Sequence, residues 1–368
     1  MHFADRLTAA IKEKNSVICV GLDPQANKIP AFLLKQALEE YGQTFEALAH
    51  AYLEFNKGII DSVKDLVPAV KPQIAFYEEL GHHGIWAFEE TCKYARAAGL
   101  LVIADGKRND IGSTAEAYAN AFLGGTEVFG VKLMANAVDA LTVNAYLGLD
   151  GIRPFLKACE TEGKGIFILV RTSNPSSGDL QDRVTVDEQM SIAELMGHFV
   201  EAWGDDSVGE CGYNFVGAVV GATYPAEAAK LRKIMPKTLF LVPGYGAQGG
   251  TAADTKACFD EKGLGALIVS ARGIIYAYAE SGDKDGKNFG EAARAAAVKM
   301  NEELNQVRGI AFATLPYLDP LRGCPDGSEG RSRVRGFRVP VFGGRWKGCW
   351  GVFCVFGRSG CEKARTVF

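Results

Sequence analysis

The sequence predicts an α/β chain folded as a (β/α)8 TIM barrel, followed by an atypical, non-homologous C-terminal tail. Three observations predict it. Eight short apolar runs alternate with helical patterns over roughly the first 300 of 368 residues, the pattern of parallel strands joined by right-handed crossovers. No G-x-G-x-x-G follows the first run, a feature that the alternative, an open doubly wound sheet, would more often show. Charged and polar residues collect just beyond the ends of the apolar runs, where barrels place their chemistry.

Residues 3–14 read as an amphipathic helix, with Phe3, Leu7 and Ile11 at helical spacing. The first strand, Val17–Leu22, runs into Asp23 and is stopped by Pro24. A long helical pattern covers 44–65. The next apolar run, Val67–Ile74, contains Lys71, which is unusual because burying an unpaired ammonium is costly. A helix over 85–98 leads to the strand Leu100–Ala104 and the charged stretch Asp105-Gly106-Lys107-Arg108-Asn109-Asp110. Helices are expected over 113–123, 149–162, 191–203 and 225–235, with strands over 140–146, 165–170, 215–222 and 239–242. The polar loop Ser176–Glu188 is long for a compact fold and has the length of a lid. The last strand, Ala266–Val269, leads into Ser270-Ala271-Arg272-Gly273, and a final helix spans 290–307.

Composition narrows the function classes. With 48% hydrophobic and 23% charged residues the chain is ordinary globular material. No apolar run is long enough for a membrane span, and Met1–Arg6 lacks the charged-then-apolar order of a signal peptide, so a cytoplasmic location is expected. Five of the nine cysteines are scattered through residues 1–308 without metal-type spacing, as suits reduced thiols. Residues 309–368 carry ten Lys/Arg against four Asp/Glu, so the first 308 are acidic overall and do not look like a nucleic-acid binder. Those 60 residues also hold eleven glycines and sustain no periodicity. The expected division is therefore a barrel domain over 1–308 and a Gly/Arg/Cys-rich tail over 309–368. The tail reads either as a basic, aromatic-bearing arm for nucleic acid or a partner or, the favoured reading, as an out-of-frame or otherwise non-native extension. It is expected to be poorly packed and unnecessary for chemistry.

At the strand ends, Asp105 and Lys107 lie two apart on extended chain and share a side. Asp110 follows after a short turn, so the three charges are expected within reach of one another. With Lys71 on the preceding strand they alternate in sign, and the lysines argue against a metal site. A solvated loop of mixed charge would carry the same residues. The glycine-rich Pro243–Gly250 and the Arg272-Gly273 pair can cradle a phosphate through backbone N–H groups, the Gln248 amide and the Arg272 fork. His82-His83 falls in a helical connection and is expected at the surface. No cofactor motif is found.

In these residues the chain resembles the orotidine 5′-phosphate decarboxylase family, in its longer bacterial branch. The motif Asp105-x-Lys107-x-x-Asp110 alone is shared by related sugar-phosphate barrels. Its combination with Gly21-Leu22-Asp23-Pro24, Lys71-Pro72-Gln73, Asp110-Ile111-Gly112-Ser113-Thr114, Arg171-Thr172-Ser173-Asn174-Pro175, Pro243–Gly250 and Arg272-Gly273 carries the resemblance, which covers about 3–307. It implies decarboxylation of orotidine 5′-monophosphate to uridine 5′-monophosphate without metal or cofactor. Lys107 would protonate C6, Asp105 would face the departing carboxylate, and Lys71 and Asp110 would complete the charge array. Asp23 and Thr114 would hold ribose hydroxyls. Ser173 would read the pyrimidine, and Gln248, Arg272 and Gly273 the phosphate. A homodimer is implied, with Asp110 and Thr114 reaching into the partner's site. Two alternatives remain open: a Mg²⁺-dependent keto-sugar-phosphate decarboxylase or aldolase-type barrel, and a catalytically silent phosphate-ligand sensor.

Overall fold

The computed structural model describes residues 1–309 except 281 and 284. The tail expected over 309–368 therefore lies, beyond its first residue, outside the described residues. Eight parallel strands close a barrel in sequence order: β1 (Ile18–Leu22), β2 (Ala69–Pro72), β3 (Leu101–Arg108), β4 (Ala140–Val143), β5 (Gly165–Arg171), β6 (Val216–Val220), β7 (Phe240–Val242) and β8 (Ala266–Ser270). Six of them, β1, β2, β4, β6, β7 and β8, are buried along their whole length, which is why they read as continuous apolar runs rather than as alternating ones. β8 pairs back onto β1, with Ile18 opposite Ile268, and closes the ring.

The outer helices bury one stripe each. Phe45–Val63 starts on Thr44, whose hydroxyl accepts from the Ala47 N–H, and packs Phe55 at 5.1 Å between ring centroids from Phe289 of the last helix, Phe289–Arg308. Phe3–Lys14 caps the N-terminal end of the barrel. Phe3 meets Phe167 edge-on, and Arg6 pairs with the buried Asp139 at 2.6 Å. The opposite end, where strands hand over to loops, is left open for the site.

Four features differ from the sequence expectation. Ala31–Tyr41 is a helix that buries only Leu33 and Ala37, too narrow a stripe to read from spacing. The helix expected from 85 begins at Gly81, in a Gly-His-His-Gly stretch of poor propensity. There Gly84 packs so near the Tyr77 carbonyl that a Cβ would lie 1.8 Å from the oxygen. An antiparallel hairpin, Thr126–Val128 with Val131–Leu133, stands outside the barrel between β3 and β4. The long polar loop is partly ordered, with a 3-10 turn over Pro175–Ser177 and a helical turn over Gly178–Gln181.

Candidate active site

β3 continues four residues past its apolar run, and this builds the site. Its register against β4 shifts between Ala104 and Arg108, and within that irregularity Lys107 adopts φ 45°, a left-handed backbone rare outside glycine. Asp105 Oδ2 receives Lys71 Nζ at 2.6 Å and Oδ1 receives Lys107 Nζ at 2.5 Å. The Thr142 hydroxyl donates to the same Oδ1 at 2.9 Å and accepts the Lys107 N–H at 3.0 Å. Lys71 is thereby paired, which is how a lysine persists inside a buried strand.

The electrostatics follow from burial and partners. Burial pushes the Asp105 carboxyl up, but Lys71 and Lys107 outweigh it and hold Asp105 well below the ordinary carboxylate range. Burial likewise favours neutral Lys71, and Asp105 and Asp23 outweigh it and hold the ammonium charged. Asp23 is different. Its Oδ1 is shut away from solvent with no hydrogen-bond partner among the described residues, and burial raises its pKa.

A cavity of about 800 Å³ opens above this cluster. Asp23, Lys71, Asp105, Lys107, Ser173, Gln248, Arg272 and Gly273 all line it. The Arg272 side chain makes no hydrogen bond or ion pair among the described residues and lines the cavity. Gly244, at φ 101°, lets the Pro243–Gly250 turn approach Ser173, where a Cβ would lie 3.1 Å from the serine Cβ.

Asp110 departs from the expectation that it lies within reach of Asp105 and Lys107 in one chain, and Thr114, expected at the partner's site, also stays clear of this cavity. Neither lines the cavity, and Asp110 Oδ1 instead accepts from the Ile111 N–H at 2.7 Å. The turn after β3 carries them away onto the exposed start of the helix Gly112–Phe122. Thr142 is a site residue that the sequence reading missed, although a lone hydroxyl in an otherwise apolar strand was the available signal. The His82 and His83 rings lie 3.9 Å apart between centroids, tilted by 37°, and no metal-binding cluster of His, Cys, Asp and Glu is found among the described residues.

Comparison with known proteins agrees with this geometry. The family model for orotidine 5′-phosphate decarboxylase / HUMPS matches residues 16–282. An orotidine 5′-phosphate decarboxylase of Rhodopirellula baltica is 46% identical over 310 residues, 83% of this chain and 99% of the relative. One of Caldicellulosiruptor bescii is 42% identical over 305 residues, again 83% of this chain and 98% of the relative. The structure of Leishmania donovani OMP decarboxylase superposes with a TM-score of 0.63 at 31% identity, covering 84% of this chain and all of that one. A barrel with a lysine-flanked aspartate at its open end, matched over its length by such relatives, belongs to the orotidine 5′-phosphate decarboxylase / HUMPS family.

Proposed function

We propose that the chain decarboxylates orotidine 5′-monophosphate to uridine 5′-monophosphate, the last step in forming UMP, with Lys107 as proton donor and without a metal or organic cofactor. The single observation that carries the reading is the Asp105 carboxylate held between two ammoniums at the cavity floor, one of them, Lys107, still 46% exposed toward the space above.

In the reaction the bond from C6 to the carboxyl carbon breaks and its electron pair stays on C6. Carbon dioxide leaves, Lys107 Nζ delivers a proton to C6, and the lysine regains one from solvent. The vinyl carbanion has little delocalisation, so the barrier is high. A substrate carboxylate seated against Asp105 meets about 4 kcal/mol of repulsion at about 4 Å and an effective dielectric near 20. Relief of that repulsion supplies at most about a thousandfold in rate. The larger share falls to Lys107, a cation already in place where negative charge develops. Its position is set by Asp105, by Thr142 through the backbone N–H, and by the left-handed backbone. Phosphate contacts from Gln248, Arg272 and Gly273, remote from C6, contribute binding energy to the chemical step. Asp23 is placed for a ribose hydroxyl and Ser173 for the pyrimidine edge.

A homodimer is part of the same reading. Asp110 and Thr114 face outward beside exposed Ile111 and Tyr118, and the following hairpin exposes Phe129, Val131 and Leu133. A second copy covering this apolar surface would bring both residues to its own site. No helix among the described residues is long and apolar enough to cross a membrane. The reading places the enzyme in the cytoplasm with the nucleotide as its partner molecule.

The deciding experiment follows the absorbance of orotidine 5′-phosphate with purified protein, before and after exhaustive chelation. Turnover unchanged by chelation is expected. Activity that disappears and returns with Mg²⁺ would favour a keto-sugar-phosphate barrel, and binding without turnover a silent sensor.

A further inference from the structure

Arg171, the last residue of β5, is among the largest fully buried side chains and lies outside the cavity just described. The strand is responsible for its direction. Leu169 lines the cavity, and regular alternation would send Arg171 there too, but the register against β6 shifts between these two residues. The shift turns Arg171 into the barrel wall and brings Thr172 and Ser173 to the cavity instead. Its guanidinium lies 3.9 Å from the Tyr224 ring centroid, and one terminal nitrogen sits 2.7 Å from Asp182 Oδ1. That contact is an ion pair without hydrogen-bond geometry, and neither this nitrogen nor Nε has a hydrogen-bond partner among the described residues. A buried guanidinium so thinly satisfied costs stability.

What it holds is the loop carrying Ser173. Gln181 closes the loop onto its own start, accepting from the Thr172 N–H at 3.0 Å and donating to the Thr172 hydroxyl at 2.9 Å. Ser177 donates to the Tyr224 hydroxyl at 3.2 Å, and Thr223 donates to the Ser173 carbonyl at 3.4 Å. Behind Ser173 lies Gly221, where a Cβ would come within 3.0 Å of the serine backbone. Arg171 ends β5 and half-buried Tyr224 immediately precedes the helix Pro225–Ile234, whereas Asp182, 57% exposed, belongs to the loop.

We propose that Arg171, stacked on Tyr224 and paired with Asp182, is a positioning residue that latches the 172–182 loop and so places Ser173 over the substrate. The inference deepens the functional reading above, resting on Ser173 contacting the nucleotide. Arg171 itself touches no reacting atom, so its loss weakens binding more than chemistry.

The test is steady-state kinetics with orotidine 5′-monophosphate, and direct titration with UMP, on Asp182→Asn, Arg171→Lys, Arg171→Met and the Arg171→Met/Asp182→Asn double variant. KM and the UMP Kd rise about tenfold in Asp182→Asn and Arg171→Met, while kcat at saturation stays within about threefold of the unsubstituted enzyme. The double variant is no worse than Arg171→Met alone, and Arg171→Lys falls between, keeping the charge but losing the planar fork. If Arg171→Met fails to fold, Asp182→Asn decides alone, because its side chain faces solvent. The latch is overturned if Asp182→Asn leaves both KM and the UMP Kd within about twofold, or if the single effects multiply in the double variant. Ser173→Ala separates the two readings. An unchanged KM there, with a raised KM in Asp182→Asn, keeps the latch and removes the serine contact. The opposite pattern removes the latch alone.

Discussion

Lys107 places its ammonium 2.5 Å from Asp105 Oδ1 while its own backbone sits at φ 45°, and the two facts belong together. A left-handed turn inside a strand bends the chain, so the lysine can fold back onto a carboxylate only two residues away. That strain of about 1 kcal/mol is held at the residue assigned the proton transfer. Lys107→Ala is expected to lower kcat by at least about a thousandfold, because both the proton donor and the preorganised charge are lost. UMP affinity should fall only modestly. Turnover within tenfold of the unsubstituted enzyme would defeat the role.

Thr142 ties the same pair together from β4. Replacing it by valine keeps the volume but removes the hydroxyl that bridges the Lys107 N–H and Asp105. The expected result is a drop in kcat of about tenfold and a loss of about 1–2 kcal/mol in stability, since a part-buried N–H loses its acceptor. UMP binding should change little. Rapid kinetics and thermal melts check this, and an unaltered kcat would remove Thr142 from the machinery.

The Asp23 carboxyl is shifted in the opposite direction to that of Asp105. Burial holds its carboxyl above the ordinary 3.8, so the folded chain keeps this proton to higher pH than the unfolded one. Its contribution to stability is therefore lost as pH rises from about 4 through the raised folded value, and stays lost above it. Asp23→Asn should melt about 2 °C higher at pH 7 and lose that pH dependence, while turnover falls because the ribose contact weakens. A melting temperature at pH 7 equal to or below that of the unsubstituted protein would show that Asp23 is not strained in its site.

Complementation tests whether Asp110 serves a second copy. Lys107→Ala and Asp110→Ala, each inactive alone, are mixed and allowed to exchange subunits. If Asp110 completes the neighbour's site, half of the dimers are mixed and each carries one intact site, so about one quarter of full activity returns. No recovery, in chains shown to exchange, would assign Asp110 to its own site or to none.

How much of this was legible beforehand depends on the range of the interaction. The helices Phe3–Lys14 and Leu149–Glu162 sit where apolar spacing puts them, because burial of one helical stripe is a local property. All eight barrel strands were legible because strands buried on both faces write continuous apolar runs. The hairpin at 126–133 was not, since its exposed side chains leave no such signature.

The barrel and its charged and glycine-rich strand ends were already written in the order of residues, since strict strand–helix alternation admits few topologies and parallel barrels collect chemistry at one end. Which of those residues meet follows from contacts between distant segments. Register between neighbouring strands brings Lys71 and Thr142 onto Asp105, a shift in β3 turns Lys107 back, one in β5 hides Arg171, and the turn after β3 carries Asp110 outward. Those outcomes depend on hydrogen bonds between segments distant in the chain, and no local pattern records them.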